Sequence, residues 1–250
     1  MFSGKKTGAT YAPTARPLTS WSFSRYMDYV KCPYAFKKKH IDKVKEQENE
    51  AMAHGTAIHT MAEHYIKGIL KKMPKELGNF AEEFQGLRKL YKTTGSGLIV
   101  EEQWAFDKQW QPSGWSDWNN TWLRVKLDCG MRADDDTAMI FKPIDWKTGR
   151  MSDYKTSEYV MQLELYAVAT FKLLPTIEEV RPLLAYIDSG SVYPPEDEPI
   201  VFYKKDEKRL TTQWEKRVQK MFNDKTFKPT PGKHCDWCQH SKGKGGDCKF

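Results

Sequence analysis

The chain has 250 residues, 39% of them hydrophobic and 13% aromatic, with 40 Lys+Arg against 33 Asp+Glu. Length and aromatic content suit one large domain, or a core with an appended subdomain, and exclude intrinsic disorder for most of the chain. No apolar run approaches the roughly 18 residues of a membrane helix, and the first twenty residues lack the apolar stretch of a secretory signal. A net charge of +7 and a pI near 9.0 point to an anionic partner. Nucleic acid stands ahead of an anionic membrane surface, since no long amphipathic basic helix is present.

Residues 1–20 read as a polar arm. A helix is predicted over 21–40, with Ser22 or Ser24 as N-cap and Pro33 interrupting it. A second helix covers 51–72, where Ile58, Met61, Ala62, Tyr65 and Ile69 recur at helical spacing. A third covers 79–91. From 98 the period falls to two: 98–106 is a strand, 111–120 a loop, 121–133 a second strand and 137–149 a third, with a turn at 133–136. Residues 157–174 form a helix that Pro175 stops. Two more strands, 180–190 and 199–205, precede a last helix at 206–222 and a Gly/Lys/Cys-rich tail. The order implies an α/β fold with a mixed central sheet, flanking helices and an N-terminal helical layer.

Alternation along the second strand puts Leu123, Val125, Leu127, Cys129 and Met131 on one face, and Arg124, Lys126, Asp128, Gly130 and Arg132 on the other. In the third strand Ile144 and Trp146 oppose Asp145 and Lys147. If these strands pair, Asp128, Asp145 and Lys147 converge. Two carboxylates at that level hold a hard divalent cation, and the lysine orients an attacking water and offsets charge building on a phosphate. An Asp-x-Lys alone carries little, because half-exposed strands commonly bear both residues.

The run Pro143, Ile144, Asp145, Trp146, Lys147, Thr148, Gly149, seventeen residues after Asp128, resembles the PD-(D/E)xK nuclease superfamily. In detail it is similar to the RecB-like branch, with its restriction-endonuclease-like core. Gly55, Thr56, Ala57, Ile58 and His59 look like that branch's G-x-x-x-H helix, whose histidine is a metal ligand. Gln162 and Tyr166 look like its Q-x-x-x-Y motif, which positions substrate, and Glu102 occupies the place of a commonly acidic position. Glu101 points to the other face, with the register not fixed. His54 and His64 fall off the motif and read as surface residues.

Cys235, Cys238 and Cys248 offer three soft ligands in a short segment, and a fourth is needed. His234 or His240 would complete a local zinc knuckle. Cys32, followed by Pro33, would complete an iron–sulfur site that staples the N-terminal helical segment to the tail. One distant cysteine plus three C-terminal ones resembles the iron–sulfur RecB-like nucleases, which include CRISPR-associated exonucleases and the nuclease domain of the AddB subunit. That resemblance implies a structural 4Fe–4S cluster on Cys32, Cys235, Cys238 and Cys248. Cys129 reads as an inert core residue.

Trp104 and Trp146 read as core. Trp115 and Trp118 lie in a polar loop, where they either fold onto the protein or stack on bases of a single strand. Lys37, Lys38 and Lys39, with Lys225, Lys228, Lys233, Lys242 and Lys244, read as a basic track.

The resemblance implies four regions: arm 1–20, helical region 21–95, nuclease core 96–205, and C-terminal helix with cluster-binding tail 206–250. It further implies a nuclease in which His59, Asp128 and Asp145 bind Mg²⁺ or Mn²⁺, Lys147 positions water, and Gln162 and Tyr166 hold the DNA backbone. The expected substrate is single-stranded DNA, or DNA with single-stranded ends, cut exonucleolytically in recombination, repair or replication. The expected setting is cytoplasmic, or host cytoplasm for a virus, with no membrane partner; a homo-oligomer is compatible. No G-x-x-x-x-G-K-[ST] helicase motif occurs. Two rivals are a catalytically weak DNA-binding recombination module and a zinc-stabilised RNA-processing factor.

Overall fold

The structure is a computed structural model describing residues 18–45, 50–94, 97–134 and 138–250. Most of the predicted arm, and residues 135–136 of the predicted turn, lie outside the described residues. The chain forms two compact units, one of residues 27–45 with 224–250, the other of 19–26 with 50–223.

In the larger unit, seven strands form one mixed sheet. They are β1 (Leu98–Phe106), β2 (Leu123–Asp134), β3 (Met139–Lys147), β4 (Glu179–Val180), β5 (Leu183–Tyr186), β6 (Ser191–Tyr193) and β7 (Phe202–Tyr203). β1, β2 and β3 run antiparallel in sequence order. Helix α5 (Thr156–Leu173) then carries the chain back to lay β4 and β5 parallel to β3.

The single strand predicted at 180–190 is two strands. Both keep one register against β3, Ile140 facing Glu179 and Ile144 facing Leu183. Between them Pro182 has no N–H to give, so the ladder breaks there and resumes. The strand predicted at 199–205 contracts to Phe202–Tyr203, because Lys204 opens a 3₁₀ turn into α6 (Glu207–Asn223).

Helix α1 (Phe23–Lys31) starts as expected: the Arg25 N–H donates to Ser22 Oγ at 3.3 Å. Pro33 ends it and opens α2 (Pro33–Phe36), which runs into a π-turn, Lys37–Ile41. Helix α3 (Glu50–Ile66) stops six residues short of its predicted end, at Gly68 with φ of 79°, the left-handed conformation that glycine adopts without penalty. Ile69 therefore leaves the apolar stripe and is exposed. Helix α4 (Ala81–Thr94) is two residues late, after a 3₁₀ turn.

One face of the sheet packs Leu98, Val100, Cys129, Trp146 and Ala185 against Ile58, Ala62 and Ile66 of α3 and Phe84 and Leu87 of α4. On the other face α5 is buried continuously from Leu163 to Phe171, Glu164 and Thr170 included. A helix buried all round is covered on more than one side. Each large side chain enclosed this way contributes about 1.5–3 kcal/mol. Trp21 is fully buried, stacked on Trp214 and edge-on to Trp122.

Close packing also explains Gly130. A Cβ there would stand 2.3 Å from Cζ of Phe141 on the neighbouring strand, so only glycine lets that fully buried ring lie across β2. Trp104, Trp146 and Cys129 are core, as expected.

Candidate active site

Because α5 covers it, the polar face expected to be half-solvated is closed: Asp128 and Asp145 are 3% and 6% exposed. In β1–β2 the register pairs Val100 with Cys129 and Glu102 with Leu127, which sets Glu101 opposite Asp128. In β2–β3 the last pair is Cys129 with Ile144, and the next step sets Asp145 opposite Asp128. Three carboxylates thus line up across three strands.

Helix α3 supplies the fourth group. Ile58 and Ala62 anchor it on the core, leaving His59 Nδ1 3.1 Å from Asp128 Oδ1 and 3.4 Å from Glu101 Oε1. Neither approach is aligned as a hydrogen bond: His59 Nδ1 and Glu101 Oε1 are buried with no hydrogen-bond partner. The donor atoms of His59, Glu101 and Asp128 lie within 4.8 Å of one another. Three ligand atoms gathered this closely, two of them without an aligned hydrogen bond, fit a cation in place of the imidazole proton.

Glu101, not Glu102, is the acidic residue of this set. Glu102 is exposed and accepts from Trp104 Nε1 at 3.0 Å. Glu101 adopts φ of 55° inside a strand, an unfavourable conformation for a residue with a Cβ. That twist breaks the alternation that pointed it away. Its other oxygen, Oε2, is 2.6 Å from Lys126 Nζ. The legible signal was the hairpin register, which faces Trp104 with Val125 and so Glu101 with Asp128.

Asp128 Oδ2 accepts the Trp146 N–H at 2.9 Å, locking β2 to β3 at the level of the site. Asp145 is held from α5: Gln162 Nε2 donates to its Oδ1 at 2.9 Å and to Tyr166 Oη at 3.1 Å, and the Tyr166 hydroxyl donates to the same Oδ1. Lys147 Nζ lies 2.6 Å from Asp145 Oδ2. Gln162 and Tyr166, expected on the DNA backbone, have their polar ends on Asp145. Tyr166 is 6% exposed.

Burial opposes charge on His59, but Asp128, Glu101 and Asp145 override it and push its pKa up to about 10. Burial and the Asp145 charge raise the pKa of Asp128 against the pull of His59 and the Trp146 N–H. Burial also works against the Glu101 carboxylate, yet His59 and Lys126 keep its pKa below the usual value. Burial and the adjacent Asp145 charge hold the Tyr166 phenol well above its ordinary value, so it stays a donor.

Outside this set, His54 pairs with Asp188 at 2.9 Å, and Asp188 also accepts the Gly149 N–H at 2.6 Å. Trp118 is 70% exposed, and the Arg124 guanidinium lies over the Trp118 and Trp115 rings at 4.6 and 5.7 Å.

In the smaller unit none of the four candidate cluster cysteines is in a disulfide; Cys32 is buried and the others half-buried. Tyr34 and Lys38, just after Cys32, bond Asp247, next to Cys248. Phe36 stacks on Phe227, and the Cys248 N–H donates to the His240 carbonyl at 2.9 Å. Among the described residues no three of these sulfurs, His234 and His240 share the sub-4.8 Å spacing of ligands to one ion. A multi-iron cluster spaces its thiolates wider than one zinc does. Of the basic track, Lys37, Lys38 and Lys39 pair with Asp42, Asp247 and Asp28.

Three acidic side chains, an imidazole and an ammonium at one level of a mixed sheet could hold a divalent cation beside a phosphate ester. The chain belongs to the PD-(D/E)XK nuclease superfamily, whose profile matches residues 20–242. It is thus of the class of nucleases, hydrolases of phosphodiester bonds that use divalent metal ions. Among solved structures it is similar to a proposed exonuclease from Eubacterium rectale, 12% identical with a TM-score of 0.45, over 95% of this chain and 94% of that one. SSO0001 is 15% identical with a TM-score of 0.35, over 89% and 84%. No protein of curated function matches the sequence. Among the described residues no helix is long and apolar enough to cross a membrane.

Proposed function

We propose that this protein is a metal-dependent deoxyribonuclease that degrades single-stranded DNA, or single-stranded ends, exonucleolytically in recombination, repair or replication. The carrying observation is the convergence of His59, Glu101 and Asp128 within 4.8 Å, beside the Asp145–Lys147 pair. His59, Glu101, Asp128 and Asp145 would hold Mg²⁺ or Mn²⁺, which supplies Lewis-acid charge at the scissile phosphate. Lys147 orients the attacking water and offsets the charge that grows on the phosphate. Tyr166, enclosed, fixes the rotamer of Asp145 and is a positioning residue. Gln162, half-buried, shares that task, and on binding DNA would swing the N–H it now gives to Tyr166 towards the DNA backbone. Cys32, Cys235, Cys238 and Cys248 hold a 4Fe–4S cluster as a structural staple within the smaller unit.

The test is anaerobic cleavage of end-labelled single- and double-stranded DNA with EDTA, Mg²⁺ or Mn²⁺, beside Lys147→Ala. Metal-dependent loss of single strands, abolished in the variant, supports the reading, and the label gives the polarity. Cleavage confined to RNA, or activity unchanged in Lys147→Ala, overturns it. For the cluster, anaerobically purified protein should be brown and carry iron and sulfide in equal amounts; zinc without iron refutes it.

A further inference from the structure

We propose that the larger unit carries a second phosphate-holding site, a lysine-lined cavity that grips the nucleic-acid backbone away from the metal centre. The inference rests on the nuclease reading above and names where that enzyme holds its polymer. Between the end of β1, the C-terminal turn of α5 and the first half of α6 lies an open cavity of about 590 Å³, in the range that takes ligands of nucleotide size. Five lysines line it: Lys108, Lys172, Lys204, Lys205 and Lys208.

The donor and acceptor balance names the ligand. Glu207 faces Lys172 and Lys204 at 2.7 and 2.6 Å, which occupies both its oxygens. Glu215 accepts from Trp110 Nε1 at 3.0 Å. The Thr211 and Thr212 hydroxyls donate back to the Glu207 and Lys208 carbonyls of their own helix. Lys108, Lys205 and Lys208 are exposed, and among the described residues no carboxylate pairs with them; Lys205 rests over the Tyr203 ring. Five ammonium groups thus face two carboxylates, Glu207 held by Lys172 and Lys204 and Glu215 bonded through one oxygen to Trp110, which leaves the lining net positive. Such a lining repels cations, has little with which to read base edges, and suits phosphate oxygens. Trp110, 3% exposed, offers no face for stacking. Recognition here is of backbone charge without regard to sequence.

Its position sets a length. Helix α5 holds Asp145 through Gln162 and ends at the cavity with Lys172, ten residues on, about 15 Å along the axis. At roughly 3.4 Å per nucleotide for a stacked strand that is about four nucleotides, and fewer where the single strand is extended. A dinucleotide occupying the active site cannot reach the cavity, whereas a strand of about twenty can.

The experiment compares the triple variant Lys108→Ala, Lys205→Ala, Lys208→Ala with a charge-matched control, Lys71→Ala, Lys72→Ala, Lys75→Ala, in the exposed α3–α4 connection. Binding of fluorescent oligothymidine of two and about twenty nucleotides is measured in EDTA over a salt series, and cleavage of both with Mn²⁺. The cavity triple should bind the long strand at least tenfold more weakly. Its log–log salt slope should fall by about 2, for three contacts at roughly 0.7 each on a single strand. kcat, and kcat/KM on the dinucleotide, should stay as in the parent. An unchanged slope, or an equal loss in the control triple, overturns the proposal. So does inorganic phosphate lost from the cavity triple while the long strand binds as before, the mark of a small-anion pocket. If the parent cuts nothing with any metal, the nuclease reading fails, yet the binding comparison still decides the cavity. Metal-dependent cutting with an inert triple fails the cavity alone.

Discussion

Replacing Glu101 by Gln keeps the side chain's shape and removes one negative charge from the metal pocket. At the 4.8 Å that bounds the donor atoms of His59, Glu101 and Asp128, a doubly charged cation and one carboxylate at an effective dielectric of roughly 20 interact by about 7 kcal/mol. Lys126, 2.6 Å from the other Glu101 oxygen, already takes up much of that charge, and the carbonyl of the glutamine still offers a ligand. The expected loss is therefore reduced to about 2 kcal/mol, or roughly thirtyfold in Mn²⁺ affinity. Glu102→Gln is the control, since Glu102 is exposed and turned to Trp104. Calorimetric titration of chelator-stripped protein measures both variants. If Glu101→Gln binds Mn²⁺ as tightly as the parent, or Glu102→Gln binds it less tightly, the third carboxylate is misassigned and the strand register argument falls with it.

Further expectations concern strain, packing and pH. Glycine tolerates the φ of 55° at position 101 and alanine does not, so Glu101→Gly should be about 1 kcal/mol more stable than Glu101→Ala in chemical denaturation. At Gln103, farther along β1, the order should reverse; the same order at both sites would deny the strain. Gly130→Ala must displace Phe141 and should cost about 1–3 kcal/mol or more, seen as a melting point lowered by several degrees, whereas an unchanged midpoint means that the ring has room. His59 is protonated in the metal-free protein and must give up that proton to bind metal, so Mn²⁺ affinity should climb as pH rises towards about 10, with proton release in calorimetry. For folding, a raised pKa stabilises fully below the ordinary 6.5 and less as pH rises through about 10. The metal-free melting point should fall across that window while the Mn²⁺-loaded protein does not follow; parallel curves refute the assignment.

Much of the chemistry was legible because it is written in local order. Period-two alternation placed Asp128 and Asp145 on one face of adjacent strands, and β1 runs from Leu98 to Phe106, as the alternation predicts. The i, i+4 spacing put Gln162 and Tyr166 on one side of α5, and the capping Ser22 and the breaking Pro33 mark the ends of α1. These signals depend on residues a few positions apart, so the sequence determines them by itself. Tertiary structure decided what depends on distant partners. Glu101 enters the site only because β2 fixes its register and the packing holds its backbone at a positive φ, which no alternation reveals. The carboxylate face is closed only because α5 returns over it, and with it Tyr166 becomes a clamp on Asp145. Pro182 splits a strand whose apolar pattern runs on unbroken, since pattern reports burial while the ladder needs an N–H at every step. The cavity lysines come from three segments more than sixty residues of chain apart at the first gap, and a charge field of that kind exists only once the chain has folded.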